Sequence, residues 1–255
     1  YFPETLDRLP PDLGALFTLQ QMPEDEPKVL RGFMLARGQA SGGTWHSAVN
    51  AMAGLRTFNA EQRERRKDTE KRPRVSHPGI HRSDTINAWA LPMPTIDPSI
   101  VHRSARLRGD YGPDFSFAYF MGMKSLTQAV GLMAGVGAAY AAAQLAPTRK
   151  WLLSLRKPGA GPSSEIREKG WFRLVIHGSS PSTEVLTEVR GGEPGYSETA
   201  KMLAESALCL AQNLDEIPGK GGILTPASAF GDILRQRLQS VGIHFAHLPI
   251  EASSK

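Results

Sequence analysis

The sequence predicts an α+β fold, a mainly antiparallel sheet covered by helices. Three observations carry that expectation. Trp171-Phe172-Arg173-Leu174-Val175-Ile176-His177 and Thr183-Glu184-Val185-Leu186-Thr187-Glu188-Val189 read as strands, and only Gly178 to Ser182 separates them, which is a hairpin connection and not a crossover. The second of these runs alternates, so one face is wet, as antiparallel sheets allow. Near the C-terminus the period changes: Phe230, Ile233, Leu234, Leu238 and Val241 fall on one stripe of a helix over about 226–241. With 255 residues, 40% of them hydrophobic and 22% charged, the chain is long enough to bury such a core.

The elements follow in order. Residues 1–27 are rich in Pro and acid and read as a connector, with the main domain over 28–255. Lys28 to Leu35 is a strand, and Gly38 to Gly43 a polar, Gly-rich turn. Ser41 or Thr44 caps a helix through about Leu55, with Trp45, Val49, Met52 and Leu55 at helical spacing. Residues 59–96 are polar, basic and Pro-rich. They predict a short charged helix at 60–69 and then a long loop, of the kind that serves as an insertion, a lid or a partner contact. Pro98 suits the first turn of a helix running through Arg108. Phe115, Phe117 and Tyr119 alternate with Ser116 and Ala118 and predict a strand near 113–121. An apolar helix is expected at about 124–146. Pro158 to Pro162 is a turn, after which Ser163 or Ser164 caps a short helix ending at Gly170. The two hairpin strands follow, then a helix from about Glu198 to Asn213. Thr225 caps the last helix, with Pro226 in its first position. Gly242 ends it, and Ile243-His244-Phe245 gives a final strand.

Net charge is +5. Much of it lies in Arg63-Glu64-Arg65-Arg66-Lys67 with Lys71, Arg72 and Arg74, and in Arg149, Lys150, Arg156 and Lys157. Neither cluster is interleaved with aromatics as a nucleic-acid platform is, so no nucleic-acid partner is expected. A single cysteine, Cys209, excludes an intrachain disulfide framework, and its apolar surroundings read as a buried inert thiol. The start at Tyr1-Phe2-Pro3 carries no signal-peptide pattern. No metal site is expected: His77 and His81 are four apart, but Pro78 and Gly79 break any helix that would align them, and no Glu or Cys sits near these or His102 at ligand spacing. There is no G-x-S-x-G elbow. No G-x-G-x-x-G follows a strand, and Pro162 spoils Gly159-Ala160-Gly161-Pro162 as a phosphate loop by removing a donor.

Ser125 to Thr148 carries no charge. Leu126, Val130, Leu132, Met133, Val136, Tyr140 and Leu145 stand in a background of Ala and Gly, and Gly131 and Gly135 have the spacing that lets helices approach closely. Three readings are open: a helix buried in the domain or a homodimer, a helix lying on a membrane surface, or a span. Gln128, Gln144 and the weak transfer energy of Ala and Gly weigh against a span. Trp151 with Arg149, Lys150, Arg156 and Lys157 has the composition of an interfacial anchor, in contact with a membrane surface or a protein partner.

Several blocks, in order, resemble one family. They are Arg31-Gly32-Phe33 through Ser41-Gly42-Gly43-Thr44, Lys157 to Ser163, Arg167-Glu168-Lys169-Gly170-Trp171-Phe172, Glu193-Pro194-Gly195-Tyr196 with Thr199-Ala200, and Gly221-Gly222-Ile223-Leu224-Thr225-Pro226-Ala227. They resemble the closing part of the saccharopine dehydrogenase-like oxidoreductases, most closely the lipid-acting branch, the trans-acting enoyl reductases. Pro10 to Leu16 is similar to the segment that leaves the nucleotide domain in that family. The resemblance implies the second, substrate and dimerisation domain of such a protein, without its N-terminal nucleotide-binding domain, which would lie on another segment or chain. It implies NAD or NADP in the intact protein, and none bound by this chain alone.

By the same resemblance Ser41, Gly42, Gly43, Thr44 and His46 face the substrate cleft. Small residues let backbone approach a ligand, and a helix start offers free N–H groups. His46 is a candidate proton donor; a plain capped helix is the alternative. Tyr196 and Thr199 read as a turn plus cap. Two functions are expected, the first implied by the resemblance and the second by the missing nucleotide fold, the basic surface and the amphipathic 125–157 region. One is the substrate-binding portion of an NAD(P)H-dependent reductase of a lipid-like acyl substrate. The other is a non-catalytic accessory subunit of a membrane-associated assembly. The expected location is a membrane surface in the cytoplasm, or in a mitochondrion or plastid if a leader has been removed.

Overall fold

The computed structural model describes residues 8–38, 42–65, 79–93, 95–157 and 161–250, with no side-chain description at 44 or 55–65. In chain order the elements are α1 (Leu9–Leu19), β1 (Val29–Arg37), α2 (Gly42–Arg65), β2 (His81–Ser83), β3 (Ala88–Pro92), α3 (Asp97–Arg108), β4 (Ser116–Met123), α4 (Leu126–Ala143), α5 (Ala146–Ser154), α6 (Ser164–Glu168), β5 (Trp171–Ser179), β6 (Glu184–Gly191), α7 (Ser197–Gln212), α8 (Pro226–Ser240) and β7 (His244–Leu248). The chain divides into two compact units. The first comprises residues 1–38, 75–123 and 167–255, the second residues 39–74 and 124–166.

The first unit holds a seven-stranded sheet in the order β2-β3-β4-β1-β5-β6-β7. Only β1 and β4 run parallel; every other neighbouring pair is antiparallel. The fold is therefore α+β and mainly antiparallel, as the sequence predicts. The hairpin forms as expected, with β5 and β6 in register from Phe172 opposite Gly191 to Ser179 opposite Glu184.

The expected connector is different. Within 1–27, every residue of α1 is buried. Pro10 and Pro11 occupy its first turn, where a missing N–H costs no hydrogen bond and the fixed φ suits a helix. The Pro and acid content that resembles a linker is thus a helix start. Leu9, Leu13, Leu16 and Phe17 enter the main core beside Leu174, Ile176 and Val189 of β5 and β6. Each such side chain contributes about 1.5–3 kcal/mol. Gly14 permits the approach: a Cβ there would stand 2.8 Å from Ile176 and 2.9 Å from Val189. Next to it, Thr18 Oγ1 donates to the Gly14 carbonyl at 2.8 Å and lies 2.6 Å from Thr187 Oγ1.

The stretch expected as a loop over 59–96 also differs. It carries the end of α2 and the strands β2 and β3, which extend the sheet beyond β4. These strands are too short to show a period. Alternation on β4 holds, with Phe117 and Tyr119 in the main core. Its other face is closed as well, by Phe120 and Ala118 packed with Phe33 and Ala90. The wet face expected of β6 is interrupted: Thr187, Glu188 and Val189 are buried in succession. Glu188 is tolerated because Arg173 Nε donates to it at 2.6 Å.

In the second unit, α2, α4 and α5 pack around Val49, Ala143 and Leu152. Trp45 Nε1 donates to the Leu152 carbonyl at 2.7 Å, and Gln144 Nε2 to the Met52 carbonyl at 3.0 Å. Helix α2 extends past the expected end at Leu55 to Arg65 and absorbs most of the separate charged helix expected at 60–69. Ser125 caps α4 by accepting the N–H of Gln128 at 3.2 Å. Of the eighteen residues of α4, only Ala129 and Ala143 are buried.

Candidate functional site

The motifs that carry the family resemblance become braces when folded. Glu193 is 2% exposed, and its carboxylate accepts three backbone N–H groups, from Gly195 at 2.7 Å, Tyr196 at 2.8 Å and Ser197 at 3.0 Å. An anion there satisfies orphan donors at the start of α7 and complements its dipole. Thr199 Oγ1 donates to the Pro194 carbonyl at 2.7 Å. Tyr196 and Thr199 therefore belong to a turn and a helix start, the plainer of the expected readings.

Thr225 and Ser228 form a reciprocal cap at the start of α8. Beneath it, Asp12 accepts the N–H of Ala227 at 2.8 Å and the Ser104 hydroxyl at 2.5 Å, and Ser104 Oγ lies 2.6 Å from Thr225 Oγ1. The two outlying motifs, Pro10 to Leu16 and Thr225-Pro226-Ala227, thus meet through α3. Burial pushes the Asp12 carboxyl up to about 6, against the opposing pull of these donors and of Arg108. Tyr111, also buried, has its hydroxyl held well above the ordinary phenol range, chiefly by burial.

The predicted substrate segment sits at the start of α2. Ser41 lies outside the described residues, and so does the side chain of Thr44. Gly42 is buried and Gly43 exposed in the first turn. His46 is half-buried, and its Nε2 lies 2.7 Å from the Arg156 carbonyl. A carbonyl only accepts, so Nε2 carries the proton and donates. In the first unit Gly38, which leads toward this segment, packs near Pro194, with its Cβ position 3.7 Å from the ring.

Sequence reasoning missed one feature of the sheet. Trp171, Phe172, Arg173, Glu188, Arg190, Gly191, Gly242 and His244 line an open depression of about 710 Å³. Register explains it: Arg173 stands opposite Arg190 and Arg190 opposite His244, a row across three strands. Glu188 lies between the two arginines, 2.6 Å from Arg173 and 3.6 Å from Arg190, and neutralises part of the row. The only hint in the sequence was the polar alternation of Glu184, Glu188 and Arg190.

Other titratable side chains serve the structure. Lys28 is 1% exposed and donates to the carbonyls of Glu24 at 3.1 Å and Tyr111 at 3.4 Å. Burial lowers its pKa, while Glu24, Asp25, Glu26 and Asp110 pull it back up. Cys209 is buried, which raises its thiol pKa and makes it a poor nucleophile. His81 stacks edge-on against Phe120 and His102 against Phe115, while His77 lies outside the described residues. Among the described residues no group of three or more His, Cys, Asp or Glu side chains is placed to hold a metal ion.

No family model matches the chain, and no solved structure matches it. Several curated proteins do. A trans-acting enoyl reductase of Mycobacterium ulcerans is 33% identical over 156 residues, covering 56% of this chain and 37% of that protein. A saccharopine dehydrogenase-like oxidoreductase of Bos taurus is 24% identical over 277 residues, covering 94% of this chain and 62% of that protein. An Arabidopsis thaliana protein named a "probable mitochondrial saccharopine dehydrogenase-like oxidoreductase" is 25% identical over 298 residues, covering 94% of this chain and 64% of that protein. The chain thus spans between about a third and two thirds of the length of these relatives. The chain is thus similar along 94% of its length to saccharopine dehydrogenase-like oxidoreductases and over 56% of it to a trans-acting enoyl reductase, and motifs that carry this resemblance form internal braces of the fold.

Proposed function

We propose that the chain supplies the substrate-binding portion of a nicotinamide-dependent reductase that acts on a lipid-like, unsaturated acyl substrate. The observation that carries this reading is the similarity along 94% of the chain to saccharopine dehydrogenase-like oxidoreductases, joined to 33% identity with a trans-acting enoyl reductase. The nicotinamide, NAD or NADP, supplies the hydride and is held by a nucleotide-binding domain on a further segment or chain. The residues of this chain bind and orient the acyl group. Ser41, Gly42, Gly43 and Thr44 bring backbone close to the substrate carbonyl, where the free N–H groups of a helix start favour an oxygen acquiring negative charge. His46 braces that turn through Arg156.

A second reading is a non-catalytic accessory subunit in a membrane-associated assembly. The exposed, uncharged surface of α4 favours it, because such a surface needs a cover. NAD(P)H oxidation by the natural full-length protein separates the two readings. A long-chain enoyl thioester should accelerate oxidation, and Gly43→Val should raise KM by crowding the exposed first turn. No thioester-dependent oxidation would reject the reductase and leave the accessory subunit.

A further inference from the structure

We infer that α4 and α5 form a membrane-docking element that lies in one leaflet of an anionic bilayer and does not cross it. The inference is independent of the reductase reading. Between Leu126 and Ala143 the helix is 18 residues long, has mean hydropathy 1.3, and 11% of its residues are buried. Its bulky residues follow helical spacing. Leu126, Val130 and Met133 stand at i, i+4 and i+7 with Leu132 and Val136 beside them, between 39% and 52% exposed, and Ala and Gly fill most of the opposite face. Such an arc suits a helix lying at a boundary between water and lipid.

Connectivity excludes a single crossing. Met123 ends β4 and Trp171 opens β5, and both strands are hydrogen-bonded to β1 in one sheet. The segment between them leaves that sheet and returns to it, so it crosses a bilayer an even number of times. Only α4 is long and apolar enough among the described residues. The other helices of the segment, α5 and α6, have 9 and 5 residues, or about 14 and 8 Å, against a hydrocarbon core of about 30 Å. The even number is therefore zero.

Charge selects the occupant. From Ser125 to Ser164 there is no acidic residue, while Arg149, Lys150, Arg156 and Lys157 follow the apolar helix and Lys124 precedes it. Trp151 is 59%, Leu145 63% and Leu155 52% exposed beside them. A second copy of the chain would bring like charges together at this element. Anionic headgroups answer the basic flank while acyl chains cover the bulky arc, and an indole at the boundary is favourable.

The test is co-flotation of the protein with phosphatidylcholine vesicles, with and without phosphatidylserine. Binding is expected only with phosphatidylserine, and salt should release it. Arg149→Gln/Lys150→Gln/Lys157→Gln should weaken partitioning about a hundredfold, since each basic residue near an anionic leaflet contributes about fivefold. Val130→Glu/Met133→Glu should abolish it; both sites are exposed, so the fold survives, with circular dichroism as the check. Lys124→Cys and Lys157→Cys should both react with an impermeant thiol reagent added outside the vesicles. Failure to bind anionic vesicles overturns the inference, and concentration-dependent dimerisation blocked by the Glu pair would then assign the surface to a second copy. Protection of one cysteine on bound vesicles would also overturn it, by showing a crossing.

Discussion

Asp12 in α1 accepts the backbone N–H of Ala227 in the first turn of α8 at 2.8 Å, across 215 residues of chain. Its other oxygen takes the Ser104 hydroxyl of α3 at 2.5 Å. Three helices are thereby pinned at one buried carboxyl. A side chain that sits in a connector when the sequence is read linearly is the meeting point of the first unit.

That carboxyl makes stability depend on pH. Its folded pKa, about 6, lies above the ordinary value of 3.8, so the folded state holds the proton longer than the unfolded state does. The contribution is fully present below about pH 4 and is lost as pH rises through about 6. The full difference is about 3 kcal/mol at 1.36 kcal/mol per unit. Denaturant titrations between pH 4 and 7 should show stability from this group falling with pH. Asp12→Asn should flatten that slope; an unchanged slope would assign it elsewhere.

Gly14→Ala should destabilise the protein. Alanine gains roughly 1 kcal/mol of helix propensity, but its Cβ meets Ile176 and Val189 at 2.8 and 2.9 Å. Overpacking costs about 1–3 kcal/mol. A fall in Tm is expected, with partial recovery in the Gly14→Ala/Ile176→Val double variant. Additive losses would show that the contact is not the cause.

Glu193→Ala should cost about 2 kcal/mol, from three N–H groups left without their acceptor at a buried helix start. Hydrogen exchange should speed up first at Tyr196 and Ser197. Unchanged protection there would mean that water replaces the carboxylate at no cost.

Much of the fold is legible in the sequence where periods are long. The stripe of Phe230, Ile233, Leu234 and Leu238 gives α8, and the closely spaced runs around Gly178 to Ser182 give the hairpin. Helix α1 is not legible, because Pro10, Pro11 and Asp12 have linker composition and act instead as helix start and buried acceptor. Strands β2 and β3 are too short for alternation to show. The Arg173, Arg190 and His244 row exists only through register, which places residues far apart in the chain side by side. The substrate segment at Ser41 to His46 rests on the family resemblance, and the bond from His46 to the Arg156 carbonyl joins residues too far apart in the chain for the sequence to show it.

Residues 1–255 alone should bind neither NAD nor NADP. Dinucleotide affinity comes largely from a pyrophosphate on a glycine-rich helix start and an acidic ribose contact, and the sequence carries no such fingerprint. Calorimetry at millimolar cofactor should give no binding heat. Micromolar affinity would place a nucleotide site within this chain.

The most direct test of the reductase reading follows the hydride itself. NADH and NADPH, each deuterated at its transferable position, are given in turn to the natural full-length protein with a long-chain enoyl thioester, and the saturated product is weighed by mass spectrometry. One deuterium per product is expected, the second hydrogen coming from solvent. A product without deuterium, or no saturated product with either cofactor, would contradict that reading.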